Sequence, residues 1–305
     1  MTSPAFEDVL VTLDLTEIDD VLIERVSRLS ESLGIKKVYF LHVEKDLTPP
    51  KSILSKYPDL HSPLDEKIQH GIKDKVDKLF TAEGVEVAVE VREGDAFEKI
   101  LRFALVKEVD LIVLGRKQDS HALFTSRIAR KSPCSLMLIP EQIPDFDGPL
   151  LVATDFSPRS TPAIQLAQNI FSNLPGCAGY KCVHIYEVHF GYSKIGKTRE
   201  EFSQIMKENA QHEWSALLNQ NGIDPKTQCE FIDKKDGESA KLLAKYAEDN
   251  HARLLIVGSK GHTDSASILL GSFTEKLTVE NQKTPLLIIK SKGETITFLQ
   301  ALLRL

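Results

Sequence analysis

The residues best suited to chemistry in this sequence form a glycine-rich segment in its C-terminal third. Gly258 and Gly261 are three positions apart, and nine residues separate Gly261 from Gly271, which Ser272 follows. Glycine lets main-chain amides approach a ligand closely because it has no Cβ. A helix that begins just after Gly271 would also direct its partial positive charge at an anion. The spacing therefore predicts a phosphate-binding site that needs no basic patch.

The elements that position this segment occur twice in the chain. The nine residues from Pro149, PLLVATDFS, repeat the pattern of DVLVTLDLT from Asp8, and RLLIVGSKG from Arg253 matches DLIVLGRKQ from Asp110. The offset rises from 141 to 143 along the chain, which is the effect of loop insertions in a duplicated domain. We predict one domain over residues 1–140 and a second over 149–290, with a linker at 141–148 and a C-terminal tail at 291–305.

Each copy alternates short apolar runs with longer amphipathic stretches. This alternation is typical of parallel strands that helices cover on both faces, and it predicts an α/β fold. The predicted strands are residues 8–13, 37–43, 85–91, 110–114 and 135–139, then 150–154, 181–186, 227–232, 254–257 and 286–289. Predicted helices include 17–33, 95–107 and 198–220. Asp14 and Asp155 would each follow a first strand, at the edge where open parallel sheets bind their ligands.

The pattern G-x2-G-x9-G-S resembles the nucleotide-binding signature of the universal stress protein family. It follows the fourth strand of a unit whose first strand ends in Asp155, and the duplication is similar to the tandem form of that family. The resemblance covers about residues 8–139 and 149–290. It implies two tandem Rossmann-like domains of the flavodoxin-like, or adenine nucleotide alpha hydrolase-like, type. Each would be a five-stranded parallel sheet with helices on both faces.

The resemblance further implies that the second domain binds ATP, or else ADP or AMP. Adenine and ribose would lie beside Asp155, and the backbone amides of Gly271 to Phe273, with the hydroxyls of Ser272 and Thr274, would face the phosphates. Asp155 would hydrogen-bond the nucleoside or help to hold Mg²⁺ indirectly, and Lys260 would contact phosphate. Two alternatives stay open, because Asp155 could only cap the next helix and Lys260 could point into water. The implied nucleotide-binding residues are Ala153, Thr154, Asp155, Ile185, Val257, Gly258, Lys260, Gly261, Gly271, Ser272, Phe273 and Thr274.

The first copy departs from this pattern. Gly115 is retained, but Gln118 replaces the second glycine, and Ala122 with Leu123 stand near the places of the final glycine and hydroxyl. Side chains at these places would crowd the path of a phosphate. We therefore expect the first domain to bind nucleotide weakly or not at all and to serve as a structural partner.

Composition limits the remaining functions. A net charge of −6 and a pI near 5.9 leave no basic stripe for nucleic acid. No apolar run is long enough to insert into a membrane, and four scattered cysteines fit a reducing compartment. The chain also lacks the Walker, dinucleotide-binding, zincin and nucleophile-elbow motifs. These features predict a cytoplasmic protein that binds neither nucleic acid nor membrane.

The sequence marks no dedicated catalytic base. We therefore expect a stress-response or regulatory protein that binds an adenine nucleotide, with at most weak ATP hydrolysis. Two alternatives are a slow ATPase or nucleotidyl-transfer enzyme and a nucleotide-free dimeric scaffold. The resemblance also implies that the fifth strands, residues 135–140 and 285–290, pair within the chain as an internal pseudo-dimer, which would pair again as a homodimer.

Overall fold

The structure is a computed structural model. It describes residues 6–47, 64–117, 122–142, 148–174, 176–188, 196–235, 237–261 and 270–290. Gln118, most of the predicted linker and the predicted tail at 291–305 lie outside the described residues. The chain divides into two compact units, whose main segments are Ala5–Glu141 (the N-terminal unit) and Gln142–Ile289 (the C-terminal unit).

The N-terminal unit is a five-stranded parallel sheet with helices between its strands. The strand order is β3-β2-β1-β4-β5. In chain order, the described elements are β1 (Asp8–Leu13), α1 (Ile18–Leu33), β2 (Lys37–Glu44), α2 (Leu64–Leu79), β3 (Glu86–Glu93), α3 (Ala96–Val106), β4 (Leu111–Arg116), α4 (Ala122–Lys131) and β5 (Ser135–Pro140).

The C-terminal unit repeats this topology, with the strand order β8-β7-β6-β9-β10 and every described pair parallel. The described elements are β6 (Leu150–Ala153), α5 (Thr161–Asn173), β7 (Tyr180–Tyr186), α6 (Arg199–Asn221), β8 (Cys229–Asp233), α7 (Ser239–Asp249), β9 (Leu254–Gly258), α8 (Ser272–Glu280) and β10 (Leu286–Ile289).

The apolar strands account for the core of each unit. Every residue of β5, β6 and β10 is buried, as expected where helices cover both faces of a parallel sheet. The outer strands β3 and β8 are half-buried or exposed and carry more charge, which protects a sheet edge from pairing with other chains. The predicted α/β fold with two five-stranded parallel units is therefore confirmed.

Local residue types set both the start and the end of α6. A reciprocal pair of bonds between Thr198 and Glu201 caps the start of α6. Gly222, with φ of 61°, ends that helix in the left-handed conformation. Strand β8 begins at Cys229, two residues later than predicted, because a turn closed from Thr227 N–H to the Asp224 carbonyl occupies the preceding residues.

No helix in the described part of the chain is long and apolar enough to cross a membrane.

Candidate functional site

The strand order of the C-terminal unit creates a crevice at one edge of its sheet. Strand β6 pairs with β7 on one side and with β9 on the other, so that Val152 lies between Cys182 and Ile256. The chain leaves β6 and β9 at the same edge, the position where open parallel sheets bind ligands. Asp155 follows β6 and Gly258 ends β9, which brings the two predicted halves of the site together.

The loop after β6 holds Asp155 through local hydrogen bonds. Asp155 Oδ1 accepts the backbone N–H of Ser157 at 3.0 Å, and Thr154 Oγ1 accepts that of Phe156 at 3.1 Å. The N-cap of α5 is Ser160, so Asp155 does not cap that helix. The alternative role of Asp155 as a helix cap is therefore excluded, and its carboxylate belongs to the crevice edge.

Gly261 lies directly against the Asp155 carboxylate. A Cβ on residue 261 would come within 2.8 Å of Asp155 Oδ2, closer than real Cβ contacts allow. A Cβ on Gly258 would meet only the carbonyl oxygens of Arg159 and Lys260, each at an ordinary 3.5 Å. Glycine at 261 therefore avoids a close contact with the Asp155 carboxylate, whereas the protein itself would tolerate a Cβ at 258.

Helix α8 begins beside this loop with Gly271 as its N-cap and with no side-chain capping bond. The amides of the first turn, Ser272 to Thr274, have no acceptor within an α-helix. The Gly271 N–H differs from the sequence-based expectation, because it donates to the Ser259 carbonyl at 2.7 Å. The amides that fit an anion are therefore those of Ser272 and Phe273, at the positive end of the helix.

The Thr274 hydroxyl also corrects an expectation. It is buried and donates to the carbonyl oxygen of Gly258 at 2.8 Å, so it fastens α8 to the end of β9 instead of facing a phosphate. Ser272 is exposed at the helix start. Of the two predicted hydroxyls, one thus positions the helix and the other remains accessible.

The remaining predicted residues lie on the ends of adjacent strands and in the glycine loop. Ala153, Thr154 and Val257 are buried, while Ile185 is half-buried near the end of β7. Lys260 is half-buried beside Gly261, whose carbonyl accepts a bond from Arg159 Nη1 at 3.2 Å. All of these residues therefore lie at or next to the same edge of the sheet.

His184, on strand β7, supports the loop that carries Asp155. His184 Nδ1 donates to the Thr154 carbonyl at 2.9 Å, and its ring stacks on Phe156 with centroids 4.0 Å apart. Burial lowers the pKa of His184, against the opposing effect of its bond to Thr154. The repeat carried a signal for this role, since His42 makes the same bond to the Leu13 carbonyl in the N-terminal unit.

The equivalent edge of the N-terminal unit has a different electrostatic arrangement. Lys117 Nζ lies 2.5 Å from Asp14 Oδ2, and Thr16 donates to the other carboxylate oxygen. Burial alone would raise the pKa of Asp14, but the bonds from Lys117 and Thr16 outweigh it and lower that pKa. Leu123, predicted to stand near the place of the final hydroxyl, is 82% exposed.

Metal binding has no ready-made ligand set in the described part of the chain. No group of three or more His, Cys, Asp or Glu side chains is arranged there to hold a metal ion. A magnesium ion near Asp155 would therefore need phosphate oxygens for most of its coordination.

The sequence model of the universal stress protein family matches residues 5–140 and again residues 148–290. This chain belongs to the universal stress protein family. The double match covers both units, so the predicted family resemblance is confirmed for each.

Individual relatives agree with this membership of the universal stress protein family. The chain is 30% identical to the universal stress protein MJ0577 of Methanocaldococcus jannaschii over 113 residues, 36% of this chain and 68% of the relative. A universal stress protein from Archaeoglobus fulgidus superposes with a TM-score of 0.59 at 16% identity over 93% of this chain and 98% of its own. The functionally unknown protein PA1789 of Pseudomonas aeruginosa PAO1 gives 0.62 at 13% identity over 98% and 97%. At these identities the two structures establish the fold alone.

Proposed function

We propose that this universal stress protein binds ATP, or a related adenine nucleotide, in the crevice of its C-terminal unit. The observation that carries the proposal is the contact between Gly261 and Asp155, which leaves no room for a Cβ. The Asp155 carboxylate and Gly261 lie together, beside the start of α8, where the backbone amides fit an anion. We expect a stress-response or regulatory role for such a binding protein.

Each part of the crevice matches one part of the nucleotide. Asp155 would accept hydrogen bonds from adenine or from the ribose hydroxyls, and the half-buried Ile185 would contact the base. The amides of Ser272 and Phe273 would bind the phosphates, and the Lys260 ammonium would add a charge-assisted contact. Gly258 would allow the phosphates to approach the main chain, since nothing in the protein itself requires a glycine there.

The remaining proposed residues shape the crevice around these contacts. Buried Ala153, Thr154 and Val257 would form its floor, and Gly271 would leave the helix start open to the phosphates. Thr274 would act indirectly by fastening α8 to Gly258. Magnesium would be held mainly by the phosphates, with Asp155 as an indirect partner.

The crevice favours binding over catalysis. His184, which lies beside the loop that holds Asp155, is bonded to the Thr154 carbonyl and stacked on Phe156. Its ring therefore serves as a support rather than as a general base. We propose at most weak ATP hydrolysis. An enzyme would instead show turnover that Asp155→Ala abolishes while the fold survives.

Cytoplasmic location and homodimer formation stay predictions from the sequence.

The test is the small-molecule content of the protein as purified from cells. The protein is denatured, and the released molecules are identified by mass spectrometry in the wild type, in Gly271→Val and in Ala122→Val. We expect an adenine nucleotide from the wild type and little from Gly271→Val, because a branched side chain at the helix start blocks the phosphates. Ala122 starts the equivalent helix α4, so Ala122→Val is the matched control and should retain the nucleotide. Unchanged content in Gly271→Val would contradict the proposal.

A further inference from the structure

A cavity of about 540 Å³ opens at the equivalent sheet edge of the N-terminal unit. It lies where β1, β2 and β4 end, beside the start of α3, and its volume is in the range of pockets that hold small organic molecules. The inner wall is apolar, and five of its aliphatic side chains are each at most 4% exposed. These are Ile18, Leu22, Leu41, Ile100 and Leu114.

The charged groups at this cavity are acidic. Asp14 and Glu44 line it, and no Lys or Arg does so within the described chain. Lys117 directly follows β4, and its Nζ lies 2.5 Å from Asp14 Oδ2. A bound anion would therefore meet the Glu44 carboxylate and an Asp14 carboxylate that is already paired with Lys117, and the described lining offers it no Lys or Arg.

The cavity also has a buried polar group on its floor. His42 is 5% exposed, and its Nδ1 donates to the Leu13 carbonyl at 3.0 Å. Its Nε2 lies 3.5 Å from Glu44 Oε2, so the Glu44 carboxylate borders the histidine ring at the cavity. Carboxylate oxygens thus dominate the polar contacts that the cavity offers, and these oxygens accept bonds from a donor-bearing ligand.

The retained glycine of this unit is explained without a phosphate. A Cβ on Gly115 would lie 2.8 Å from Ile18 Cδ1, so glycine at this position makes room for a core side chain of α1. In the C-terminal unit, a Cβ on the equivalent Gly258 would meet only two carbonyl oxygens at 3.5 Å, and the close contact is instead that of Gly261 with the Asp155 carboxylate. The two crevices have therefore diverged in chemistry while keeping the same place in the fold.

We propose that the N-terminal cavity binds an organic cation, a phosphate-free small molecule with an apolar body and a protonated amine. The apolar wall would bury the body, and Asp14 and Glu44 would accept hydrogen bonds from the ammonium group. The proposal does not depend on nucleotide binding in the C-terminal unit. It replaces the expectation that the N-terminal domain is only a structural partner.

The test compares two probes with the same ring system and opposite charge. Binding of tryptamine and of indole-3-propionate to the full chain is measured by isothermal titration calorimetry, with and without saturating ATP. We expect tryptamine to bind at least roughly tenfold more tightly than indole-3-propionate, with no competition from ATP. Tighter or equal binding of indole-3-propionate would overturn the proposal, as would binding of neither probe.

Two variants locate the binding. Ala96 lines the cavity as the first residue of α3, and Ala96→Phe should abolish tryptamine binding by filling it. Ser239→Phe, at the first residue of α7 in the other unit, is the matched control and should bind like the wild type. Tryptamine binding that survives in a folded Ala96→Phe protein would overturn the assignment.

The second variant tests the charge argument without filling space. Asp14→Asn removes one carboxylate and releases Lys117 from its ion pair. The ratio of the two probe affinities should shift by roughly tenfold or more toward indole-3-propionate. Asp155→Asn, the equivalent change in the C-terminal unit, should leave the ratio unchanged. An unshifted ratio in folded Asp14→Asn would contradict a site governed by Asp14.

Discussion

Asp155 and Gly261 depend on each other, because the space that a side chain at 261 would need is occupied by Asp155 Oδ2, 2.8 Å from the ideal Cβ position. The carboxylate is held from its other side by the Ser157 N–H at 3.0 Å. A Cβ at 261 would have to displace the Asp155 carboxylate. The pair therefore sets the shape of the C-terminal crevice.

Gly261→Ala should weaken ATP binding by about tenfold, or about 1.4 kcal/mol, while the fold survives. The added methyl group must displace the Asp155 carboxylate from the position proposed for nucleoside recognition. Calorimetric titration with ATP measures the dissociation constant, and thermal unfolding confirms the folded state.

Gly258→Ala provides the control for the stability of the unliganded protein. Its Cβ would make only ordinary contacts at 3.5 Å with two carbonyl oxygens, so the stability of the unliganded protein should be nearly unchanged. Equal ATP affinity in Gly261→Ala and the wild type would show that Asp155 does not have to keep its position.

Phe156→Ala should destabilise the C-terminal unit by about 3 kcal/mol, the usual scale for removing a buried aromatic ring. Phe156 is 8% exposed and stacks on His184 at 4.0 Å between ring centroids. The single tryptophan of the sequence, Trp214, lies 6.1 Å from the Phe156 ring. Urea unfolding followed by tryptophan fluorescence therefore reports on this unit.

Leu15→Ala is the matched variant in the N-terminal unit, and its unfolding is followed by far-UV circular dichroism because the single tryptophan, Trp214, lies in the other unit. Leu15 and Phe156 both adopt the left-handed conformation, with φ of 61° and 63°, after the first-strand aspartate. Leu15 is 47% exposed, so its truncation should cost less than about 1 kcal/mol. Similar losses in the two variants would mean that backbone conformation, and not aromatic packing, stabilises this loop.

His184 should make the stability of the C-terminal unit depend on pH. Burial keeps the pKa of folded His184 below its ordinary value of 6.5. As pH falls through 6.5, the unfolded chain takes up a proton that the folded chain does not. The contribution is therefore fully present above this pH and is lost as pH falls toward the folded pKa.

The measurement is the urea midpoint from tryptophan fluorescence between pH 7.5 and 5.5. We expect a fall in unfolding free energy of up to about 1.4 kcal/mol per pH unit from this group. His184→Gln should flatten the profile, since glutamine does not titrate. His42→Gln, in the N-terminal unit, should leave the Trp214 profile as steep as in the wild type. An equally steep profile in His184→Gln would assign the effect to other groups.

Cys229 should react slowly with thiol reagents although it is only half-buried. Burial, with a contribution from Glu230, raises the pKa of Cys229 to about 12. The thiolate is the reactive form, so labelling with iodoacetamide at pH 8 should be at least about a hundredfold slower than for an unfolded-chain thiol. Peptide mapping by mass spectrometry gives the rate at this cysteine, and urea-unfolded protein is the control. Rapid native labelling at Cys229 would contradict the burial of its sulfur.

Much of the architecture could be predicted because it depends on local patterns. The apolar runs that become β1 and β10 were predicted to the residue, and the capped start of α6 at Thr198 follows from neighbouring residue types. The start of β8 was predicted two residues early, because the turn at Asp224 competes with strand pairing for the same backbone groups. Local competition of this kind is hard to judge from the residue pattern alone.

The roles of individual site residues were harder to predict. Glycine spacing correctly indicated the loop and the helix start, but a threonine at 274 looks the same whether its hydroxyl faces a ligand or a carbonyl. The structure turns it to the Gly258 carbonyl. The support that His184 gives to Thr154 was equally hidden, because it links residues that are 30 positions apart.

By itself, the sequence determined the duplication, the α/β fold and the family, since periodicity, glycine positions and repeated motifs are properties of neighbouring residues. Only the tertiary structure decided that Asp155 meets Gly261, that Asp14 holds Lys117, and that one crevice has an acidic and apolar lining. These contacts join residues about a hundred positions apart. They exist because the parallel strand order brings the ends of the first and fourth strands to a common edge, where side-chain packing then selects each partner.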